Sequence, residues 1–183
     1  MHVLLAMHQA QPTPSTRLEA RPLTAHNFSA FGTVIGLADP SLPSQSINQG
    51  NALRYDLLPD LQLTAQGGWP MLALFRAQAR QFPLDVTEVE CHALGSQSFV
   101  PLGTQRFVVV VAAAGPAPKA EDLQAFVTDG RQGIVLAPGT WHHALLAVEG
   151  GDFAVIERRA DALDCRCEAI SAPLQVSLPA DLV

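Results

Sequence analysis

Lysine is nearly missing from these 183 residues: the only one, Lys119, sits in a Pro-rich loop close to Glu121. A covalent route through a lysine amine is therefore excluded in practice, because such a lysine needs a desolvated or cation-flanked setting. Cysteine is sparse and odd in number, with Cys91, Cys165 and Cys167, so a secreted disulfide framework is not expected. The Cys165-x-Cys167 pair could touch a metal, but no residues near it in sequence complete a four-ligand site. Cys91 reads as a small core hydrophobe.

Positive charge is scarce too. Eleven basic against seventeen acidic residues give a net charge of −6 and a pI near 5.4, and the arginines form no stripe, so nucleic acid is not an expected partner. Long apolar runs are missing: Met1 to Ala6 is far shorter than a membrane span and has no basic flank, which predicts a cytoplasmic chain without a membrane partner. No Gly-rich phosphate cradle follows a strand. No repeat or interior linker marks a domain boundary, so we expect a flexible tail over residues 1–20, rich in Gln, Pro, Thr and Ser, and one domain over 21–183.

What is present is apolar material, 48% of the residues with only 15% charged, enough for a substantial core. Thr24 predicts the cap of a short helix over Ala25 to Ala30, with Phe28 and Phe31 as its buried edge. Strands are expected at Thr33 to Ile35, Leu53 to Leu57, Met71 to Ala77, Phe107 to Val111, Trp141 to Val148 and Phe153 to Ile156. Asp129-Gly130 signals a hairpin joining Phe126-Val127 to Ile134–Leu136. Many short strands with Gly and Pro turns and one early helix imply a mainly β fold, a jelly-roll or barrel.

The chemistry concentrates at Glu88-Val89-Glu90-Cys91-His92. In a strand, Glu88, Glu90 and His92 share one face and Val89 and Cys91 take the other. A buried polar face of this kind costs several kcal/mol unless it is paired, hydrated or bound to something. Glu88 and Glu90, about 7 Å apart on that face, should raise one proton affinity and keep one carboxyl available as an acid. Gln97 follows, and far downstream comes Gly139-Thr140-Trp141-His142. Strand alternation allows only one of His142 and His143 into a pocket, and the resemblance to the cupin signature, whose final His follows Gly-x-x, implies His142.

This pattern resembles the two-part cupin signature, with Glu90 in place of its first His and Gln97 in place of its Glu. Glu90, His92 and His142 would still make a two-His-one-carboxylate set for a divalent ion such as nickel, zinc or manganese. Whether the pocket holds one is open at this point. Ordered blocks at Thr24–Gly32, Ile47–Leu57, Phe75–Ala77, Glu88–Pro101, Arg106–Ala112, Ala125–Gly133 and Trp141–His143 are similar to the ureidoglycolate lyase family, long called hydrolases.

The resemblance implies a cupin-like double-stranded β-helix. It also implies a homodimer and a small-molecule substrate, ureidoglycolate, split into glyoxylate and urea in allantoin and purine catabolism. That elimination needs a base for the hydroxyl and an acid for the departing nitrogen, for which Glu88, Glu90, His92 and His142 are the candidates. Arg54 and Arg76, which interrupt apolar strands in family-like blocks, are expected to bind the substrate carboxylate, and Gln97 to orient the urea group. Arg106 is expected in a surface ion pair. Two other readings remain: a metal-dependent amidohydrolase releasing ammonia and carbon dioxide, and a cupin module that only binds a small carboxylate.

Overall fold

Apolar residues two apart along nearly every strand give the chain two buried faces to satisfy. The computed structural model, which describes residues 16–36 and 42–182, satisfies them with two facing sheets. In chain order the elements begin with β1 (Thr16–Glu19), β2 (Arg21–Pro22), helix α1 (Ala25–Phe28), β3 (Gly32–Ile35), β4 (Gln45–Ile47), β5 (Ala52–Arg54) and β6 (Trp69–Ala77). They continue with β7 (Leu84–Cys91), β8 (Gln97–Pro101), β9 (Phe107–Ala112), β10 (Gln124–Val127) and β11 (Gly133–Leu136). The last are β12 (Trp141–His142), β13 (Leu146–Ala147), β14 (Gly151–Arg159) and β15 (Arg166–Ser177).

One sheet runs β1-β15-β7-β12-β9-β10-β2, with β13 also on β9; the other runs β3-β11-β8-β14-β6. Together they form a nearly closed, cupin-like β-barrel. The β-branched run of β9 is buried on both faces, as its composition predicts. Phe107, Val109 and Val111 join Phe99, Ile134, Phe153 and Val155 between the sheets. Val108, Val110 and Ala112 pack behind, with Val86, Trp141, Leu174 and Val176.

The N-terminal cap forms as expected: Thr24 accepts from the Asn27 amide while Asn27 Oδ1 accepts from the Thr24 amide. Phe28 then packs edge-on to Phe126 at 5.9 Å. The expected tail lies mostly outside the described residues, and so does part of the Asp39–Ser46 loop. Its end, Thr16–Glu19, is strand, held in parallel register by Leu174–Ser177.

The hairpin expectation at Asp129-Gly130 needs correction. The turn is there, with Asp129 Oδ1 accepting from the amides of Arg131 and Gln132, but β10 pairs with β9 and β2 whereas β11 pairs with β3 and β8. The chain crosses between sheets at this corner instead of folding back within one. Gly130 is required there, since at φ +85° an added Cβ would lie 2.4 Å from the Thr104 carbonyl oxygen. The expected strand Trp141 to Val148 is likewise broken, into β12 and β13.

Candidate active site

Three adjacent strands carry one row of side chains across the first sheet: Cys167 on β15 pairs with Glu90 on β7, and Glu90 pairs with His142 on β12. Cross-strand partners share a face, so these three side chains are neighbours. The next row, Arg166, Cys91 and Trp141, turns to the opposite face, where Cys91 and Trp141 join the core. The alternation read from Glu-Val-Glu-Cys-His is therefore what separates reactive groups from packing groups.

His142 is 2% exposed. Its Nδ1 lies 3.1 Å from the Thr140 carbonyl oxygen, and its Nε2 lies 3.1 Å from Gln97 Oε1 and 3.4 Å from Glu90 Oε1. The orientation of Gln97 is fixed, because its Nε2 donates to Glu157 Oε2 at 3.0 Å and leaves only its carbonyl for the ring. All three oxygens around the imidazole are thus acceptors, and both ring nitrogens must donate to satisfy them. His143 faces away and is only half-buried.

His92 is arranged in the opposite sense. Its Nδ1 donates to the Asp164 carbonyl, which in the neutral ring leaves a lone pair on Nε2. That Nε2 is buried with no hydrogen-bond partner among the described residues. The two imidazoles tilt toward each other with centroids 5.3 Å apart, and the donor atoms of Glu90, His92 and His142 all lie within 4.8 Å of one another. One proton-bearing ring and one lone-pair ring beside a carboxylate can take a proton from one point of a small molecule and return one at another.

The bond to His142 holds the Glu90 carboxyl below the usual carboxylate range, opposed by burial and helped by the electrostatic field of the neighbouring imidazoles. This corrects the expectation that Glu88 keeps a proton on the pair. Glu88 is exposed on the strand and does not act on Glu90; the bond to His142 does. Cys165, whose Sγ lies 3.6 Å from Glu90 Oε2, is pushed up to about 12, first by burial and then by Cys167 and Glu90. It is a neutral thiol and no nucleophile at physiological pH.

A cavity of about 280 Å³ opens onto His92 and Gln97, walled by Glu157, Arg158, Arg159 and the segment from Ala160 to Asp164. Asp164 caps the turn after His92, accepting from the amides of Ala93 and Leu94. Arg158 lies against Gly68 and Gly95, where any Cβ would fall 2.4 Å from its atoms, and donates to the Ala65 carbonyl at 2.9 Å. Its role is to hold the wall.

Of the residues expected from sequence, Glu90, His92, His142 and Gln97 come together, while Glu88, Arg54 and Arg76 do not join them. Arg54 is 60% exposed and bonded to Asp56 at 2.7 Å; Arg76 is 78% exposed and bonded to Asp152 at 2.8 Å. Both interrupt apolar stretches, which suggests a place within the barrel, but β5 belongs to a separate hairpin and β6 is a sheet edge with exposed apolar residues. Arg106 does form its expected ion pair, with Glu149.

Sequence reasoning missed Glu157 and Arg159. On β14, Phe153 and Val155 face the core, Glu157 reaches Gln97, and Arg159, two residues on, follows the same face to the cavity mouth. Arg159 takes part in no ion pair found among the described residues. The signal was period-two spacing continuing past Ile156, where the apolar pattern ended and the strand did not.

The family model described as ureidoglycolate lyase matches residues 15–177. The chain is 43% identical over 145 residues to a protein of Burkholderia mallei (strain NCTC 10229) named ureidoglycolate lyase, covering 79% of this chain and 84% of that one. A protein of the same name from Pseudomonas syringae pv. syringae (strain B728a) is 39% identical over 150 residues, covering 81% of this chain and 87% of its own length. One from Azotobacter vinelandii (strain DJ / ATCC BAA-1303) is 37% identical over 149 residues, covering 81% and 89%.

Proposed function

The chain belongs to the ureidoglycolate lyase family, and from that membership we propose that it is a carbon–nitrogen lyase that eliminates urea from ureidoglycolate to leave glyoxylate. The observation that supports this most is the pairing of a lone-pair His92 with a proton-bearing His142 beside a cavity sized for a small organic acid. No water is added in the reaction, so acid–base groups suffice: one bond breaks, one proton leaves oxygen, and one arrives at nitrogen.

In this reading His92 Nε2 takes the hydroxyl proton as the carbonyl of glyoxylate forms. His142 supplies the proton to the departing ureido nitrogen, and Glu90 and Gln97 hold its Nε2 in place. Each positioned acid or base contributes about 10²–10⁴-fold in rate. Arg159 at the cavity mouth binds the substrate carboxylate through its planar fork, in place of Arg54 and Arg76, whose guanidinium groups are already taken. Glu88 is exposed and takes no step of its own.

Glu90, His92 and His142 also fit a divalent ion, since the buried Nε2 of His92 lacks a partner and a two-His-one-carboxylate set suits nickel, zinc or manganese. Such an ion would stabilise the negative oxygen that develops as the hydroxyl loses its proton. To admit it, His142 must first surrender its Nε2 proton.

The reading extends to one catalytic domain acting in allantoin and purine breakdown in the cytoplasm. Three unpaired cysteines are in keeping with a reducing compartment, and no described helix is long and apolar enough to cross a membrane. A homodimer is supported by β6, an open sheet edge that presents Leu72 at 70% and Leu74 at 59% exposure alongside Trp69 and Phe75.

A product assay tests the central proposal. Purified protein incubated with ureidoglycolate should release urea and glyoxylate in equal amounts. Ammonia and carbon dioxide in place of urea would instead establish the amidohydrolase, and binding without turnover the cupin module.

A further inference from the structure

Glu90 has neighbours that the elimination does not use. Its Oε2 lies 3.6 Å from Cys165 Sγ, which in turn lies 3.8 Å from Cys167 Sγ, and the three donor atoms are all within 4.8 Å of one another. Along the chain this pair lacked companions; the sheet supplies one from 75 residues away, because Cys167 is the cross-strand partner of Glu90. Arg166, between the cysteines, is turned to the other face. Its guanidinium lies 5.1 Å from the Trp141 ring and its Nε bonds Glu168 at 2.9 Å, which keeps Cys165 and Cys167 on the side of Glu90.

The spacing matches a coordination polyhedron. Two thiolates about 2.3 Å from one tetrahedral zinc lie about 3.8 Å apart, and a carboxylate oxygen at about 2.0 Å lies about 3.5 Å from either sulfur. The two sulfurs at 3.8 Å and the Cys165–Glu90 pair at 3.6 Å already stand at those separations, with Cys167 and Glu90 within 4.8 Å of each other, and two sulfurs select a thiophilic cation over magnesium or calcium. Glu90 and Cys165 are partly buried and Cys167 opens to solvent, so a cation can enter and keep a water as its fourth ligand.

The geometry points to a second cation site, formed by Cys165, Cys167 and Glu90, that takes a zinc-class thiophilic divalent ion and inhibits the enzyme when filled. Two S–Zn bonds and one O–Zn bond form, both thiols pass their protons to the solvent, and no oxidation state changes. The ion takes the Oε2 that faces Cys165 and neutralises the carboxylate whose Oε1 faces His142. The site itself does not depend on the proposed reaction, whereas its inhibitory effect rests on the role given there to Glu90.

Cobalt(II) is the probe, since thiolate-to-metal charge-transfer absorption arises only from sulfur ligation and is silent for an ion held by Glu90, His92 and His142. Titration of the full chain should give such a band, lost in Cys167→Ser and in Cys165→Ser. Zinc should inhibit the wild type at least about tenfold more strongly than either variant, the smallest loss of affinity seen even for an outer-shell partner. No band, or a band that survives both substitutions, would overturn the site. A cysteine-dependent band without cysteine-dependent inhibition would overturn the inhibitory claim and the role of Glu90, leaving the site standing.

Discussion

Gln97 presents its carbonyl oxygen to His142 Nε2 at 3.1 Å because Glu157 has already claimed its amide nitrogen. One carboxylate on β14 thereby dictates which end of an amide on β8 meets the imidazole on β12. Where the cupin pattern has a glutamate ligand, this chain has a residue whose orientation is imposed by its neighbour.

Replacing Gln97 by Leu should therefore do more than remove a polar contact. It leaves the buried His142 short of a partner, a cost of about 1–3 kcal/mol, and frees the half-buried Glu157 to meet solvent in the cavity. A lowered Tm together with at least a tenfold loss of kcat would fit; unchanged kcat in the folded variant would remove His142 from the proton path.

His142→Ala should lower kcat by about a hundredfold or more if the ring is the proton donor. His92→Ala should do the same if its lone pair is the base. Steady-state kinetics on each folded variant checks both, and near-normal rates in either would count against the pair.

Substrate binding separates the arginines. Loss of a charge-assisted contact is worth about 1.5–3 kcal/mol, so Arg159→Ala should raise KM about tenfold to a hundredfold while kcat changes little. Arg54→Ala and Arg76→Ala, which break exposed ion pairs away from the cavity, should stay close to wild type. A large KM effect in Arg76→Ala alone would reverse this assignment.

The depressed proton affinity of Glu90 carries a sign. A carboxyl held below its ordinary value of 4.5 stabilises the fold at any pH above that value, and the contribution disappears as the pH falls through the lower folded value. The Tm difference between wild type and Glu90→Gln should thus be full at neutral pH and close on acidification below 4.5. A difference that grows in acid would show a carboxyl raised by burial.

Metal content is open to direct test. If the acid–base pair alone performs the elimination, exhaustive chelation should leave the lyase rate intact. A rate lost to chelator and restored by nickel, zinc or manganese would place the ion among Glu90, His92 and His142.

Much of this was legible in the residues. The period-two pattern put Val89 and Cys91 in the core and Glu90 opposite them, and the β-branched run of Phe107–Val111 announced a strand buried on both faces. Thr24 and Asn27 specified their helix start locally. The exposed setting of Arg54 and Arg76 and the crossing at Asp129-Gly130 escape the sequence for one reason: a strand segment says which side chains share a face, but not which sheet it joins or whether it lies at an edge.

The sequence alone determined the alternation that splits reactive from packing side chains, the rule that only one of His142 and His143 can enter the pocket, and the acidic, lysine-poor character of the chain. Those are properties of backbone geometry and composition that act over a few residues. Only the tertiary structure decided that Glu157 orients Gln97, that Arg159 and not Arg76 lines the cavity, and that Cys167 stands beside Glu90. Each of these depends on strand pairing between segments tens of residues apart, and hydrogen-bond register between strands is settled by the whole core at once.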